Sequence, residues 1–343
     1  MTIKVAINGF GRIGRLVFRV IENRRLLGED IRVVAINDLN MHPDYAIYLL
    51  THDTVHGTTD YDCEIETNSD NFSMMVNNNP VIIFNERNPV DIPWGSLDID
   101  CVVESTGFFT TREKANAHII AGAKKVIISA PSKDVDMYVY GVNHQKYDPS
   151  QRIVSNASCT TNCLAPLAHV LHQNFGIVEG LMSTIHSTTS TQRTVDGSSV
   201  RNWRAGRSAS SNIIPSSTGA AMAVGKVIPE LDGKLTGMAF RVPTIDVSVV
   251  DLTARTAKNT TLKEVFKAFR ERSRGDLQGI LKSTDQQLVS SDFIGASQSC
   301  IIDEQACMQI GDNFLKIVAW YDNEWGYSNR IVDLLMHVTS NSI

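Results

Sequence analysis

The run Gly9-Phe10-Gly11-Arg12-Ile13-Gly14 constrains this chain more than any other feature, because it lies between two segments of different periodicity. Before it, Ile3–Ile7 reads as a short apolar strand. After it, Arg12–Arg24 spaces Ile13, Leu16, Val17 and Ile21 at helical intervals, and Ile31–Ile36 returns as a second strand. In that setting the first glycine permits a tight turn and the second lets the backbone approach a pyrophosphate. The third lets helix and strand pack closely, with the phosphates at the helix N-terminus. A phosphate-bearing dinucleotide is therefore the expected ligand, although any tight strand-to-helix turn also uses glycines. Asp38 supplies a second signal: it lies 24 residues beyond Gly14, at the end of the second strand. A carboxylate there accepts hydrogen bonds from the adenosine ribose and repels a 2′-phosphate, which favours NAD over NADP. The structural alternative is that Asn37-Asp38 only caps the next helix.

Further strands are expected at Pro80–Phe84, Cys101–Glu104 and Lys125–Ala130, while the polar stretch Tyr61–Asn79 is expected to form hairpins or a surface loop. After Ser155 the texture changes. One helix-like stretch, Cys159–Asn174, is followed by longer strands at Leu181–Thr189, Leu235–Val242 and Asp246–Ala254. Ser187–Ser217 lacks apolar periodicity and is rich in Ser, Thr, Gly and Arg; loops of that length inside a compact domain are usually functional. Trp325–Val338 reads as a terminal helix. With 343 residues there is enough chain for two cores. The expectation is an α/β Rossmann-type dinucleotide-binding domain over residues 1–157, joined by a C-terminal helix within 323–343. An α+β catalytic domain with a mixed, largely antiparallel sheet follows over residues 158–322.

The formal net charge of −5, with both signs interspersed, advertises no basic face for nucleic acid or anionic lipid. A small solute is the expected partner. No apolar run approaches the roughly 18 residues of a membrane span, and Met1-Thr2-Ile3-Lys4 leads straight into a strand, so no leader or membrane segment is expected. The six cysteines, Cys63, Cys101, Cys159, Cys163, Cys300 and Cys307, lack paired metal-ligand spacing and read as reduced thiols of a cytoplasmic protein. No metal site is expected; a shared helical face accounts for Cys159-x3-Cys163.

Ser155-Asn156-Ala157-Ser158-Cys159 opens the first helix of the second domain, which puts Cys159 in its first turn with Ser158 as cap. Backbone N–H groups and the helix dipole there favour thiolate over thiol, and the same groups can hold an oxyanion. Cys101 and Cys163, by contrast, read as small apolar core residues. His186 ends the strand pattern Leu181–His186, from which an imidazole can return to the sulfur. The remaining histidines, His52, His56 and His144 among them, are expected to be surface or packing residues, and the bland reading is open for His186 as well.

Over essentially its whole length the chain resembles the glyceraldehyde-3-phosphate dehydrogenase family. The resemblance is carried by Asn8–Arg15, Ala35–Leu39, Ser155–Pro166, Thr194–Gly197, Asn212–Ala221, Gly233–Thr244, Val247–Thr253 and Trp320–Asn329. It implies that Cys159 attacks an aldehyde to give a thiohemiacetal, that hydride passes to NAD with His186 assisting proton removal, and that inorganic phosphate then attacks the resulting thioester. Thr189 and Arg241 resemble the pair that holds the substrate's phosphate. Ser158, Thr160, Thr218 and Gly219 resemble the segments for the attacking phosphate and the substrate. Gly9, Gly11, Arg12, Ile13, Gly14, Asp38, Arg87, Ser129 and Asn323 fall at the family's cofactor contacts. The segment Ser187–Ser217 resembles a loop that reaches a neighbouring subunit in a homotetramer. Two positions depart from the family pattern: Ser198 replaces a commoner proline, where a serine is found in relatives accepting NADP, and Met222 replaces a commoner lysine. The rival readings are erythrose-4-phosphate dehydrogenase, which hydrolyses the thioester, and a non-catalytic protein binding NAD or RNA.

Overall fold

A computed structural model describes residues 2–39, 41–68, 71–200 and 202–340. Ser69 and Asp70 of the polar stretch, Arg201 of the long loop, residue 1 and residues 341–343 of the expected C-terminal segment lie outside the described residues. The chain forms two compact units. One comprises Met1–Tyr138, His144–Ala157 and Ser328–Ile343; the other comprises Val139–Asn143 and Ser158–Tyr327.

The first unit is built on an eight-stranded sheet in the order Ile153–Ser155, Lys125–Ile128, Cys101–Glu104, Ile3–Asn8, Ile31–Asn37, Asn79–Phe84, Asn71–Val76, Cys63–Asn68. The first six strands run parallel. Their β-branched runs suit strands covered on both faces, and Cys101–Glu104 and Lys125–Ile128 are buried at every position. From Asn79–Phe84 the chain crosses back to Cys101–Glu104, on the other side of Ile3–Asn8. That reversal opens a crevice at the carboxyl ends of the two central strands. The polar stretch resolves into the hairpin half of its expectation: Cys63–Asn68 and Asn71–Val76 extend the sheet antiparallel, and Asn77 and Asn78 turn at φ +47° and +64°.

The second unit carries a sheet in the order Ile214–Ser217, Leu235–Arg241, Ile177–His186, Ser248–Thr256, Phe314–Tyr321, Cys300–Asp303, Leu281–Thr284, with Met308–Ile310 on Phe314–Tyr321. Two of these pairings are parallel and the rest antiparallel, which is the mixed sheet expected. The helix Cys159–Phe175 packs on it beside Ala220–Val227 and Leu262–Arg274, and buries Cys163, Leu164, Ala165, Leu167, Ala168, Val170 and Leu171 completely. The strand expected at Leu181–Thr189 starts earlier and stops at His186, so Ser187–Thr189 already belong to the loop. The strand expected at Asp246–Ala254 is displaced to Ser248–Thr256, because Val247 turns at φ +64° immediately before it. The terminal helix spans Trp325–Ser340; Ile331, Leu334, Leu335 and Val338 are its buried stripe, and Asp333 accepts from Arg24 at 2.7 Å within the first unit.

Candidate active site

Cys159 is the first residue of its helix. Ser158 caps that helix, its Oγ accepting from Thr161 N–H at 3.0 Å and lying 2.7 Å from Thr161 Oγ1. The Ala157 N–H donates to Ser155 Oγ at 3.0 Å, and Ala157 turns at φ +55°, a conformation uncommon for a residue with a Cβ. The half-buried Cys159 thus sits at the helix start, where the backbone N–H groups of Cys159 and Thr160 are turned to its sulfur. Burial pushes its thiol up, while the Arg241 charge and the hydrogen bonds of Thr160 pull the other way.

His186 ends the strand Ile177–His186, and its Nε2 is 3.5 Å from Cys159 Sγ. Sulfur and imidazole are therefore brought together across 27 residues of chain. The ring is buried; burial first, then the adjacent Arg241, holds its pKa down to about 3, opposed by the Ser187 carbonyl. Arg241 is the register partner of His186 on the parallel strand Leu235–Arg241. Its Nη1 lies 2.7 Å from His186 Nδ1 and 3.4 Å from the Ser187 carbonyl oxygen, which is itself 2.9 Å from Nδ1.

Thr160, a candidate anion ligand, has its hydroxyl 2.8 Å from the Tyr321 hydroxyl, which also lies 2.9 Å from Thr184 Oγ1. Tyr321 was not singled out by its sequence. It ties the first turn of the Cys159 helix to the His186 strand, and its ring meets the imidazole edge-on at 6.0 Å. Burial drives the phenol far above its ordinary range, so it acts as a neutral tie. Thr189 N–H donates to Gln192 Oε1 at 3.0 Å, and Thr189 Oγ1 is 3.1 Å from Thr191 Oγ1. Thr218 Oγ1 accepts from Ala220 N–H at 3.2 Å, and Gly219 precedes the helix Ala220–Val227. Ser217 pairs with Met238 and Ile214 with Arg241, so Thr218 lies back along the strand from Arg241. Met222 is exposed on that helix, and Ser198 is exposed in the long loop.

Asn323 is buried, and its Oδ1 accepts from both Ser187 Oγ at 2.9 Å and Ser248 Oγ at 2.7 Å. Two hydroxyl donors on one oxygen fix which way the amide faces. Neither serine carries a pattern that a sequence reading could have found.

In the first unit the glycine loop is shaped as its spacing demands. Gly9 turns at φ +91°, where a Cβ would stand 2.7 Å from Thr106 N, and a Cβ on Gly14 would stand 2.1 Å from the Gly9 carbonyl oxygen. A Cβ on Gly11 would meet nothing within 4 Å, which leaves the backbone open to a ligand. Asp38 joins this loop, accepting from Phe10 N–H at 2.6 Å. It does not cap the next helix, Pro43–Thr51, which follows His42 without a side-chain cap. Arg12 and Ile13 open the helix Arg12–Asn23; the Arg12 guanidinium is committed to Asp53, so it offers backbone rather than charge. Ser129 follows the strand Lys125–Ile128 and donates its N–H to the Glu104 carbonyl at 2.9 Å, and Arg87 is exposed beyond Asn79–Phe84. Beneath the crevice a buried relay joins the strand ends: Asn37 donates to Asn8, Asn8 to Glu104, and His118 bridges Glu104 and the Trp94 indole.

The residues of both units match known families. Residues 3–112 match the model of the glyceraldehyde 3-phosphate dehydrogenase NAD binding domain, and residues 158–323 match that of its C-terminal domain. The chain belongs to the glyceraldehyde-3-phosphate dehydrogenase family. It is 57% identical over 337 residues to the cytosolic glyceraldehyde-3-phosphate dehydrogenase of Sinapis alba, covering 98% of each chain. The cytosolic enzymes of Craterostigma plantagineum and Ginkgo biloba are each 57% identical over 338 residues, again with 98% of each chain covered. The open cradle at Gly11 and the carboxylate of Asp38 fit the NAD that the first family model names.

Proposed function

We propose that this chain oxidises glyceraldehyde 3-phosphate with NAD and inorganic phosphate to give 1,3-bisphosphoglycerate, with Cys159 as nucleophile and His186 as its base. The observation that carries the reading is the 3.5 Å approach of His186 Nε2 to a sulfur at a helix N-terminus. His186 takes the thiol proton, the thiolate adds to the aldehyde carbon, and the first-turn N–H groups receive the developing oxyanion. NAD, when bound, accepts the hydride. His186 returns the thiol proton to the oxyanion to give the thiohemiacetal and takes it back as hydride leaves, so the product on sulfur is a thioester. Phosphate then attacks its carbonyl and releases Cys159. Thr189 and Arg241 are read as the holders of the substrate's phosphate, and Ser158, Thr160, Thr218 and Gly219 as donors to the attacking phosphate and substrate. Gly9, Gly11, Arg12, Ile13, Gly14, Asp38, Arg87, Ser129 and Asn323 are read as contacts of NAD.

A homotetramer belongs to this reading. The loop after His186 is organised by its own bonds, Gly197 N–H to the Gly206 carbonyl and Asp196 to Arg207 and Ser208, yet it leaves Val200 91% and Trp203 85% exposed. Large apolar groups left in water are what a subunit contact would cover. The relatives are named cytosolic, and we read the same location here. Among the described residues no helix is long and apolar enough to cross a membrane.

The reaction is tested by following NADH formation from glyceraldehyde 3-phosphate with and without inorganic phosphate or arsenate. Sustained turnover is expected only with one of those anions; turnover without either would point to thioester hydrolysis and overturn the phosphorylating reading. Cofactor choice has its own test. Asp38→Ala removes the charge that opposes a 2′-phosphate, and the ratio of kcat/KM for NADP to that for NAD is expected to rise about tenfold, the equivalent of roughly 1.4 kcal/mol. An unchanged ratio would remove Asp38 from cofactor selection.

A further inference from the structure

The buried relay beneath the crevice fixes its own proton positions, because both of its ends are groups with only one way to bond. At one end the Glu86 N–H donates to Asn37 Oδ1 at 2.8 Å, and the Glu86 carbonyl accepts from Asn37 Nδ2 at 3.0 Å, which sets that amide. Asn37 Nδ2 also donates to Asn8 Oδ1 at 2.7 Å, so Asn8 turns its Nδ2 to Glu104 Oε2 at 2.6 Å. At the other end the Trp94 indole, which only donates, meets His118 Nδ1 at 3.1 Å. Nδ1 therefore holds no proton. The ring is neutral, with its proton on Nε2, 3.0 Å from Glu104 Oε2. Glu104 Oε1 accepts from the Thr106 N–H at 2.8 Å and from the Thr106 hydroxyl, whose own oxygen accepts from the Phe108 N–H. Every donor points inward to one carboxylate. Glu104 is buried and ionised, and among the described residues no lysine or arginine pairs with it.

We propose that Glu104 is a positioning residue of the cofactor crevice: its buried carboxylate, neutralised by no cation, pins the turns that receive the dinucleotide and favours the oxidised over the reduced nicotinamide. The inference rests on the reading of the Gly9–Gly14 loop and Asp38 as the NAD site. The relay ties together the ends of neighbouring parallel strands, and these ends run directly into residues read as contacts: Asn8 into Gly9, Asn37 into Asp38, and Glu86 into Arg87. Cys101–Glu104 runs into Ser105, whose hydroxyl donates to the Gly9 carbonyl at 2.7 Å, and into Thr106, against which the Gly9 turn packs. A shift of the carboxylate moves these turns together. With the adenosine ribose at Asp38, the rest of the dinucleotide crosses the reversal of strand order toward Cys101–Glu104. The pyrophosphate is the same in both oxidation states, so its repulsion by Glu104 cancels between them. Only the nicotinamide differs, by one positive charge, and a fixed anion out of water prefers the charged ring.

Glu104→Gln keeps the shape of the side chain and removes its charge. Dissociation constants are measured on the purified chain without substrate, for NADH by its fluorescence and for NAD by competition. Loosened turns should weaken both by on the order of tenfold. The lost charge should in addition raise the ratio of the NAD constant to the NADH constant by a factor on the order of five. His118→Gln keeps the carboxylate charged, since the glutamine amide can donate to Glu104 and accept from the indole, and it should leave that ratio at the wild-type value. If Glu104→Gln weakens both cofactors equally, or if His118→Gln shifts the ratio as far, the inference is overturned. A further measurement needs no change at Glu104: ¹⁵N NMR of the histidine-labelled wild-type chain, with His118 assigned by its loss in His118→Gln, should show Nε2 protonated and Nδ1 unprotonated at neutral pH. A doubly protonated His118 would neutralise Glu104 and sink the inference even if Glu104→Gln does not fold. Gly11→Leu separates this inference from the reading beneath it, because it fills the open cradle at an ordinary φ of −73°. If it leaves NAD affinity intact, the crevice reading fails; if it abolishes binding while Glu104→Gln moves neither constant, Glu104 alone is removed.

Discussion

Cys159→Ser is expected to reduce kcat/KM for glyceraldehyde 3-phosphate by roughly 10⁴–10⁶-fold, the range seen when a covalent nucleophile is removed. A thiol near neutral pH supplies a few per cent of a strong nucleophile, whereas a serine hydroxyl supplies almost no alkoxide. The first-turn N–H groups and the dipole of the Cys159–Phe175 helix can move a thiol into the working range but cannot bridge the larger gap to an alcohol. His186 does not compensate. The same imidazole beside an alcohol yields far less alkoxide than it yields thiolate beside a thiol. The variant should still fold, because Sγ and Oγ differ little in size and the helix is seated by Cys163, Leu164, Leu167 and Leu171 rather than by the nucleophile. The measurement is the NADH burst in the presence of saturating NAD, beside NAD binding as a folding control. A burst from the serine variant within a hundredfold of wild type would show that the thioester is not on the path and would remove Cys159 from the mechanism.

What the sequence disclosed and what it hid divide along the distance between partners. The Gly9–Gly14 loop and the Ser158–Cys159 helix start are local devices: a turn that excludes a Cβ and a cap three residues from the N–H it accepts are complete within a few residues. Asp38 is intermediate. Its offset suggested the crevice, but only the fold decided against a cap, by placing its carboxylate on the Phe10 N–H. The partners of the Cys159–His186 pair were hidden. Arg241 meets His186 because two parallel strands fall into one register, 55 residues apart, and no local pattern sets that register. Tyr321 reaches Thr160 across 161 residues, and the serines that fix Asn323 come from two different strand boundaries. The strand that overran to Thr189 in the reading of periodicity ends at His186, because Ser187 turns its N–H to the Ser248 hydroxyl instead of continuing the ladder. The Asn8–Glu104–His118–Trp94 relay was hidden for a further reason: buried polar groups look like surface residues until their partners are known.

His186→Asn should lower kcat by about 10²–10⁴-fold while leaving KM within a few-fold, since the base acts on the reacting proton rather than on the bound substrate. The shape of its pH dependence is the more telling result. On the proposed reading the thiol proton passes to Nε2, which lies 3.5 Å from the sulfur, and thiolate forms inside the pair. Without the imidazole the proton must go to solvent, and the thiol then titrates at its own pKa, which burial raises above the ordinary value. The sign follows directly. A raised thiol pKa means less thiolate at neutral pH, so the variant's rate should climb tenfold per pH unit through the neutral and mildly alkaline range and level only above the ordinary thiol pKa. Asparagine is the informative substitute because it keeps a polar group against the Ser187 carbonyl and the Tyr321 ring edge without a basic nitrogen. A parallel pH series of iodoacetamide alkylation separates nucleophile from chemistry: both profiles should shift together to alkaline pH. If alkylation shifts but turnover keeps the wild-type profile, proton removal from the thiohemiacetal belongs to another group, and His186 serves only to ionise Cys159.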